Sequence, residues 1–167
     1  MSELILLRHG KSDWGAGLED AQRPLNRRGE EAARLMGRVI SSARRIPDLV
    51  LTSPARRARL TAALAAEAGG WASPIIEDAR LSPGSPRQVV QVVQERSGGI
   101  DRVMVVGHEP TLSQTAAWLL GGALLHLPTA AAASLAVDDW ETLTPGAATL
   151  LWLITPRLFT DRWAGSP

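Results

Sequence analysis

Leu4-Ile5-Leu6-Leu7-Arg8-His9-Gly10 is an apolar run that ends abruptly in an arginine, a histidine and a glycine. Four consecutive large aliphatic residues leave no polar face, so a strand made of them is buried on both sides, as in a sheet covered by helices. Residues 49–52 (LVLT) and 103–106 (VMVV) repeat the pattern, and both again run straight into polar, basic or imidazole residues. Ile75 with Ile76, residues 133–137 and residues 150–154 are further strand candidates, which predicts a sheet of five or six members.

Helical spacing fills the gaps between these runs. Ala32, Leu35, Met36, Val39 and Ile40 recur at helical period after Asn26, a good N-cap, with Glu30 and Glu31 near the positive end of the dipole. This helix should end between residues 42 and 45. Ser53-Pro54 reads as a cap and first turn for a second helix, stopped by Gly69 and Gly70; Ser85-Pro86 opens a third, stopped by Gly98 and Gly99. Pro110 opens a fourth that runs through Trp118 to Leu120. Alternating strands and helices predict an α/β fold, and 167 residues suit one domain spanning the whole chain, 1–167.

Composition excludes several functions. The chain is 45% hydrophobic and 21% charged, with a formal charge of +1, so it lacks the general positive field that nucleic-acid binding needs. With no cysteine, thiolate nucleophiles and cysteine-ligated metals are ruled out, and the three histidines are too dispersed for a metal site. No apolar stretch approaches the roughly twenty residues of a spanning helix. The N-terminal apolar run is too short for a signal-peptide core, so no membrane association and a cytoplasmic location are expected. Oligomeric state leaves no signature.

Three strand ends carry the chemistry. Ligands of open α/β sheets bind beyond the carboxyl ends of strands. Arg8, His9 and Gly10 stand there, as an anion site or as a basic pair facing water. Arg56, Arg57 and Arg59 crowd a helix start, where cations oppose the macrodipole by roughly 0.3 to 1 kcal/mol each when exposed. That placement implies some function or a compensating anion, although Arg56 and Arg59 individually suit a solvated face. His108, between Gly107 and Glu109-Pro110, is either a hydrogen-bonded structural residue or a third part of the site. Parallel strands deliver all three ends to one edge, and together they point to phosphate.

These motifs resemble the histidine phosphatase superfamily. Arg8-His9-Gly10 matches its first motif, and Lys11, Ser12, Trp14, Arg23, Pro24, Leu25, Asn26, Arg28 and Gly29 resemble its SixA-type phosphohistidine phosphatases. Ser53, Pro54, Arg57, Ala58 and Thr61 are similar to the second arginine motif, residues 106–110 to the second histidine motif, and Pro128 with Thr129 also fits. The resemblance implies a phosphoglycerate mutase-like, three-layer α/β/α sandwich with a mostly parallel sheet. It implies His9 as nucleophile, with Arg8, Arg57 and His108 clamping the phosphoryl oxygens and Gly10, Arg23, Asp20 and Lys11 on the substrate side. No metal or organic cofactor is called for. The implied partner is a phosphohistidine-bearing protein or a small phosphorylated substrate. A small-molecule phosphatase acting on good leaving groups and a catalytically idle phosphate-binding module are the rival readings.

One departure from the family pattern bears on the substrate. Many alkyl-ester phosphatases and mutases of the superfamily carry an acid in an Arg-Leu-x-Glu pattern after the third strand, whereas this chain has Arg80-Leu81-Ser82-Pro83. Proline cannot donate a proton. Glu77, Asp78 or Glu109 could substitute, though each also suits a solvated loop. A substrate with an easily departing leaving group is therefore favoured over sugar phosphates and over a mutase reaction. Among the remaining residues, Trp118, Trp152 and His126 sit in apolar stretches and are expected in structural roles, whereas Trp14 beside the first motif is a candidate stacking surface.

Overall fold

The structure is a computed structural model that describes residues 1–15 and 17–160. In chain order its elements are β1 (Ser2–Arg8), α1 (Arg27–Ser42), β2 (Leu49–Thr52), α2 (Arg56–Gly69), β3 (Ile75–Glu77), α3 (Pro86–Arg96), β4 (Arg102–Gly107), α4 (Thr111–Leu119), β5 (Ala132–Val137), β6 (Ala148–Ile154) and the short α5 (Arg157–Thr160), with single turns of 3₁₀ helix between some of them. The strands form one six-stranded sheet in the order β3-β2-β4-β1-β5-β6. Strands β3, β2, β4 and β1 are mutually parallel, β5 is antiparallel to β1, and β6 is antiparallel to β5.

The predicted burial of the apolar runs follows from this order. β1 and β4 lie in the middle, with a layer of helices on each face, and Leu4, Ile5, Leu6 and Leu7 are inaccessible to solvent. Period-two alternation divides them: Leu4 and Leu6 join Val103, Val105 and the apolar faces of α3 and α4, while Ile5 and Leu7 join Met104, Val106 and the faces of α1 and α2. Gly37 allows α1 and α2 to approach closely, since a Cβ there would lie 2.1 Å from the Ala65 carbonyl oxygen.

Local signals at helix starts mostly behave as expected. Asn26 Oδ1 accepts the Gly29 N–H, the Ser85 side chain accepts the Gln88 N–H, and Gly70 closes α2 at a φ of 67°. The exception is the start of α2. Its N-cap is Ala55, without a side-chain cap, and Ser53 Oγ accepts the Ala55 N–H and is shared with a partner in the functional site.

Trp118 departs from the expected core role. Leu112, Ala116 and Leu119 share the buried stripe of α4, and Trp118, two residues beyond Ala116, projects from the other side and is 37% exposed. Trp152 is half-buried on β6 against the α1–α2 layer. His126 is an exposed loop residue rather than a structural one. Gly121 and Gly122, at φ 81° and 110°, turn the chain out of the helix before it, so the apolar sequence around it does not mean burial.

Candidate active site

Sheet register assembles the site. Arg8 lies opposite Gly107, and the ladder continues one residue further because the His9 N–H donates to the Gly107 carbonyl. His9 and His108 therefore leave adjacent strand ends at the same level, with ring centroids 5.2 Å apart and planes tilted by 58°. Beside them, the Ser53 N–H donates to the Val106 carbonyl, which brings the end of β2 to the same edge. Arg57, in the first turn of α2, completes a cavity of about 640 Å³.

The protonation of the two imidazoles follows from their partners. His9 Nδ1 lies 2.7 Å from the Gly10 carbonyl oxygen, which can only accept, so Nδ1 carries the proton. Burial is the main reason that His9 is pushed down to about 4; the Gly10 hydrogen bond opposes this, and the charges of His108, Arg57 and Arg8 add to it. The ring is thus neutral at pH 7 and Nε2 holds the free lone pair. His108 is likewise pushed down to about 4, by burial first and then by Arg57. Arg57 Nη2 donates to His108 Nδ1 at 3.4 Å, so Nε2–H donates to Ser53 Oγ at 2.7 Å. Ser53 is the residue whose role the sequence disguised, because a serine before proline reads as a cap.

The arginines are held but not satisfied. Arg8 Nη1 donates to the Leu127 carbonyl at 2.9 Å, and Arg57 donates to the Asp20 backbone oxygen at 2.7 Å and to Asp20 Oδ2 at 3.0 Å. Yet Nε of Arg8 and Nε of Arg57 are buried without a hydrogen-bond partner among the described residues. Burial also lowers the pKa of Arg8, opposed by Glu109. Buried cationic donors without partners are costly unless an anion meets them. Four cationic side chains, Arg8, Lys11, Arg23 and Arg57, line the cavity against two carboxylates, Asp20 and Glu109.

Most of the expected substrate-side residues gather here, in roles that the structure refines. Lys11 is an exposed wall residue. Arg23 is buried, donating to Ser12 Oγ at 2.8 Å and to Asp20 Oδ1 at 2.9 Å. Asp20 is held below the usual carboxylate range by the hydrogen bond from Arg23 and then by Arg57, and so it ties the two guanidinium groups together. Gly10 stands back from the others. Its N–H is taken by Thr61 Oγ1 at 3.0 Å, it does not line the cavity, and a Cβ there would lie 2.7 Å from the Gly29 carbonyl oxygen. Its glycine is needed for close packing on α1. Thr61 in turn donates to the Arg57 carbonyl at 2.7 Å, linking the first motif to the second.

The candidate acids separate. Glu77 pairs with Arg59 at 3.7 Å and Asp78 is a buried partner of Arg80 at 2.8 Å; neither lines the cavity. Glu109 does, with Oε1 accepting the Ser113 N–H at 3.0 Å and Oε2 3.8 Å from His126. Pro83 also lines the cavity, its loop anchored by Thr111 Oγ1 on the Pro83 and Gly84 carbonyls. The Leu127 carbonyl was not legible, since a backbone acceptor has no side-chain signature.

Comparison with known proteins gives the family and the fold. Residues 4–82 match the model of the histidine phosphatase superfamily, branch 1. An uncharacterized protein of Mycobacterium tuberculosis, Rv1276c, is 33% identical across 90% of this chain and 100% of its own length. The chain belongs to the histidine phosphatase superfamily. It is a phosphatase of the SixA type, with the phosphoglycerate mutase-like fold of that superfamily. The protein histidine phosphatase SixA complexed with tungstate superposes with a TM-score of 0.84 at 26% identity, covering 94% of this chain and 99% of that one. A SixA protein from Agrobacterium tumefaciens gives 0.81 at 26% identity, covering 93% and 98%.

Proposed function

We propose that this phosphatase hydrolyses phosphohistidine through a covalent intermediate on His9. The observation that carries the reading is a cavity on which Arg8, His9, Arg57 and His108 converge and whose wall holds Pro83, the residue that stands in this chain at the acid position of the Arg-Leu-x-Glu pattern. Tungstate in the SixA relative, a tetrahedral oxyanion, supports a phosphoryl occupant for this pocket.

His9 Nε2, held as a free base by the Nδ1–Gly10 hydrogen bond, attacks phosphorus in line with the departing nitrogen. The substrate P–N bond breaks as the Nε2–P bond forms. A phosphoimidazole whose distal nitrogen carries a proton departs as neutral imidazole, so the leaving nitrogen requires no acid. One P–N bond replaces another, which keeps the transfer near balance. Arg8 and Arg57 neutralise the charge on the moving group, the principal requirement of phosphoryl transfer. An anion between the rings raises the pKa of His108, converting its Nδ1 from acceptor to donor. Water then attacks the phosphorus of phospho-His9, releasing phosphate and restoring the Nε2 lone pair.

Turnover of a phosphohistidine protein, an aryl phosphate and a phosphoserine peptide tests the assignment. The first two should exceed phosphoserine in kcat/KM by about a hundredfold or more, the usual worth of a general acid. Equal values for phosphohistidine and phosphoserine would overturn it and identify a general phosphomonoesterase.

A further inference from the structure

At the cavity mouth, Trp14 is 78% exposed and yet held in place. The Arg23 guanidinium carbon lies 3.6 Å from the centroid of its ring. Arg23 is itself fixed, by Ser12 at 2.8 Å and by Asp20, the carboxylate that also holds Arg57. Residues of the cavity wall thus orient the indole. One face rests on Arg23, and the high exposure leaves the remainder of this large apolar surface in water. A solvated tryptophan on such a mount gains little for folding. It is a ready stacking partner, because a fixed aromatic plane loses little entropy when a second ring settles on it.

We propose that Trp14 is a specificity-determining residue, the platform on which a planar leaving group lies while its phosphoryl group faces His9. This deepens the phosphohistidine reading and rests on it for the identity of the ring. Trp14 and Pro83 line the same cavity, so the mouth offers a leaving group an aromatic plane and a proline. That combination suits a flat ring that departs unaided and does little for a flexible alkoxide. An indole face also attracts a ring that carries a proton, the form in which phosphoimidazole departs as neutral imidazole.

The test compares kcat/KM of the wild type, Trp14→Ala and Trp14→Phe on free phosphohistidine, an aryl phosphate and phosphoramidate, whose leaving group has no ring. Trp14→Ala should lose about 5- to 20-fold on both ring-bearing substrates, the usual worth of one aromatic stack, and stay within about twofold on phosphoramidate. Trp14→Phe should recover most of the loss. An equal loss on all three substrates would overturn the platform, making Trp14 a support for Arg23, and so would no loss on any. If the wild type turns over aryl phosphate and phosphoramidate but not phosphohistidine, the substrate assignment fails, and the aryl-to-phosphoramidate ratio still decides the role of Trp14.

Discussion

At the amino end of β1, buried Glu3 accepts hydrogen bonds from Arg102 Nε and Ser134 Oγ, both at 2.6 Å, with Arg45 a further 3.5 Å neighbour. At the carboxyl end of the same strand, Arg8 and His9 meet Arg57 and His108, and there the bookkeeping is left open: two guanidinium Nε donors have no partner among the described residues and both imidazoles are driven neutral. Both clusters sit on the central pair β1 and β4, with Glu3 opposite Arg102 and Arg8 opposite Gly107. The difference teaches how to separate a structural charge cluster from a functional one. Opposite charges close on each other in the first, whereas in the second four cationic side chains outnumber two carboxylates around a space that suits an anion.

The largest effect should come from His9→Ala. Loss of the proposed nucleophile should lower turnover by at least about 10⁴-fold, as removal of other nucleophiles does. Acid-labile phosphate trapped on the wild type during turnover should be absent from the variant. Trapped phosphate on another residue would move the nucleophile elsewhere.

Arg57→Ala and Glu3→Ala form a pair that should dissociate activity from stability. Arg57→Ala should cost about 10² to 10³ in kcat, comparable to deleting an oxyanion-hole donor, with only a small change in denaturant midpoint, because relief of crowding among the cations offsets the lost bonds to Asp20, whose carboxylate is exposed enough for water to replace them. Arg56→Ala, at an exposed neighbour, should stay within a few-fold. Glu3→Ala should do the reverse, losing about 3 kcal/mol of unfolding free energy while kcat of the folded protein holds. That value is at the low end for a buried pair because Arg102 keeps some contact with water. Parallel losses of activity and stability in both variants would erase the distinction between the two ends.

A smaller effect is expected from pH. His9 and His108 titrate near 4 when folded and near 6.5 when unfolded, so the unfolded chain binds more protons between those values. Stability therefore falls as pH drops through that window, by about 1.4 kcal/mol per pH unit for each ring at most. Equilibrium unfolding at stepped pH should show this slope flattened in a His9→Ala/His108→Ala double variant. An unchanged slope would place the titration elsewhere. The least change is expected from Pro83→Glu, which should raise phosphoserine kcat/KM about tenfold and leave phosphohistidine turnover near its original value.

Much of the site was legible because its chemistry lies in side chains at the ends of apolar runs. Arg8, His9, Arg57 and His108 stand out by type and position, and the resemblance set them in one pocket. What could not be read were groups whose role depends on who arrives beside them. Ser53 looks like a cap and is the partner of His108. Gly10 looks like a phosphate contact, yet its N–H is taken by Thr61 and its carbonyl holds His9 Nδ1. His126 looks buried by its neighbours and is exposed by the turn before it.

By itself, the sequence determined the elements and their faces. Residues 4–7, 49–52 and 103–106 are apolar without interruption and have no stable place except inside a covered sheet, and the helix caps and stops act within a few residues of themselves. Only the tertiary structure decided the strand order, the antiparallel entry of β5 beside β1, and the meeting of His9 with His108 across the β1–β4 register. The physical reason is range: local propensity and periodicity are short-range properties of the chain, whereas ladder pairing, the Leu127 carbonyl on Arg8 and the Asp20 bridge between Arg23 and Arg57 join groups far apart in sequence.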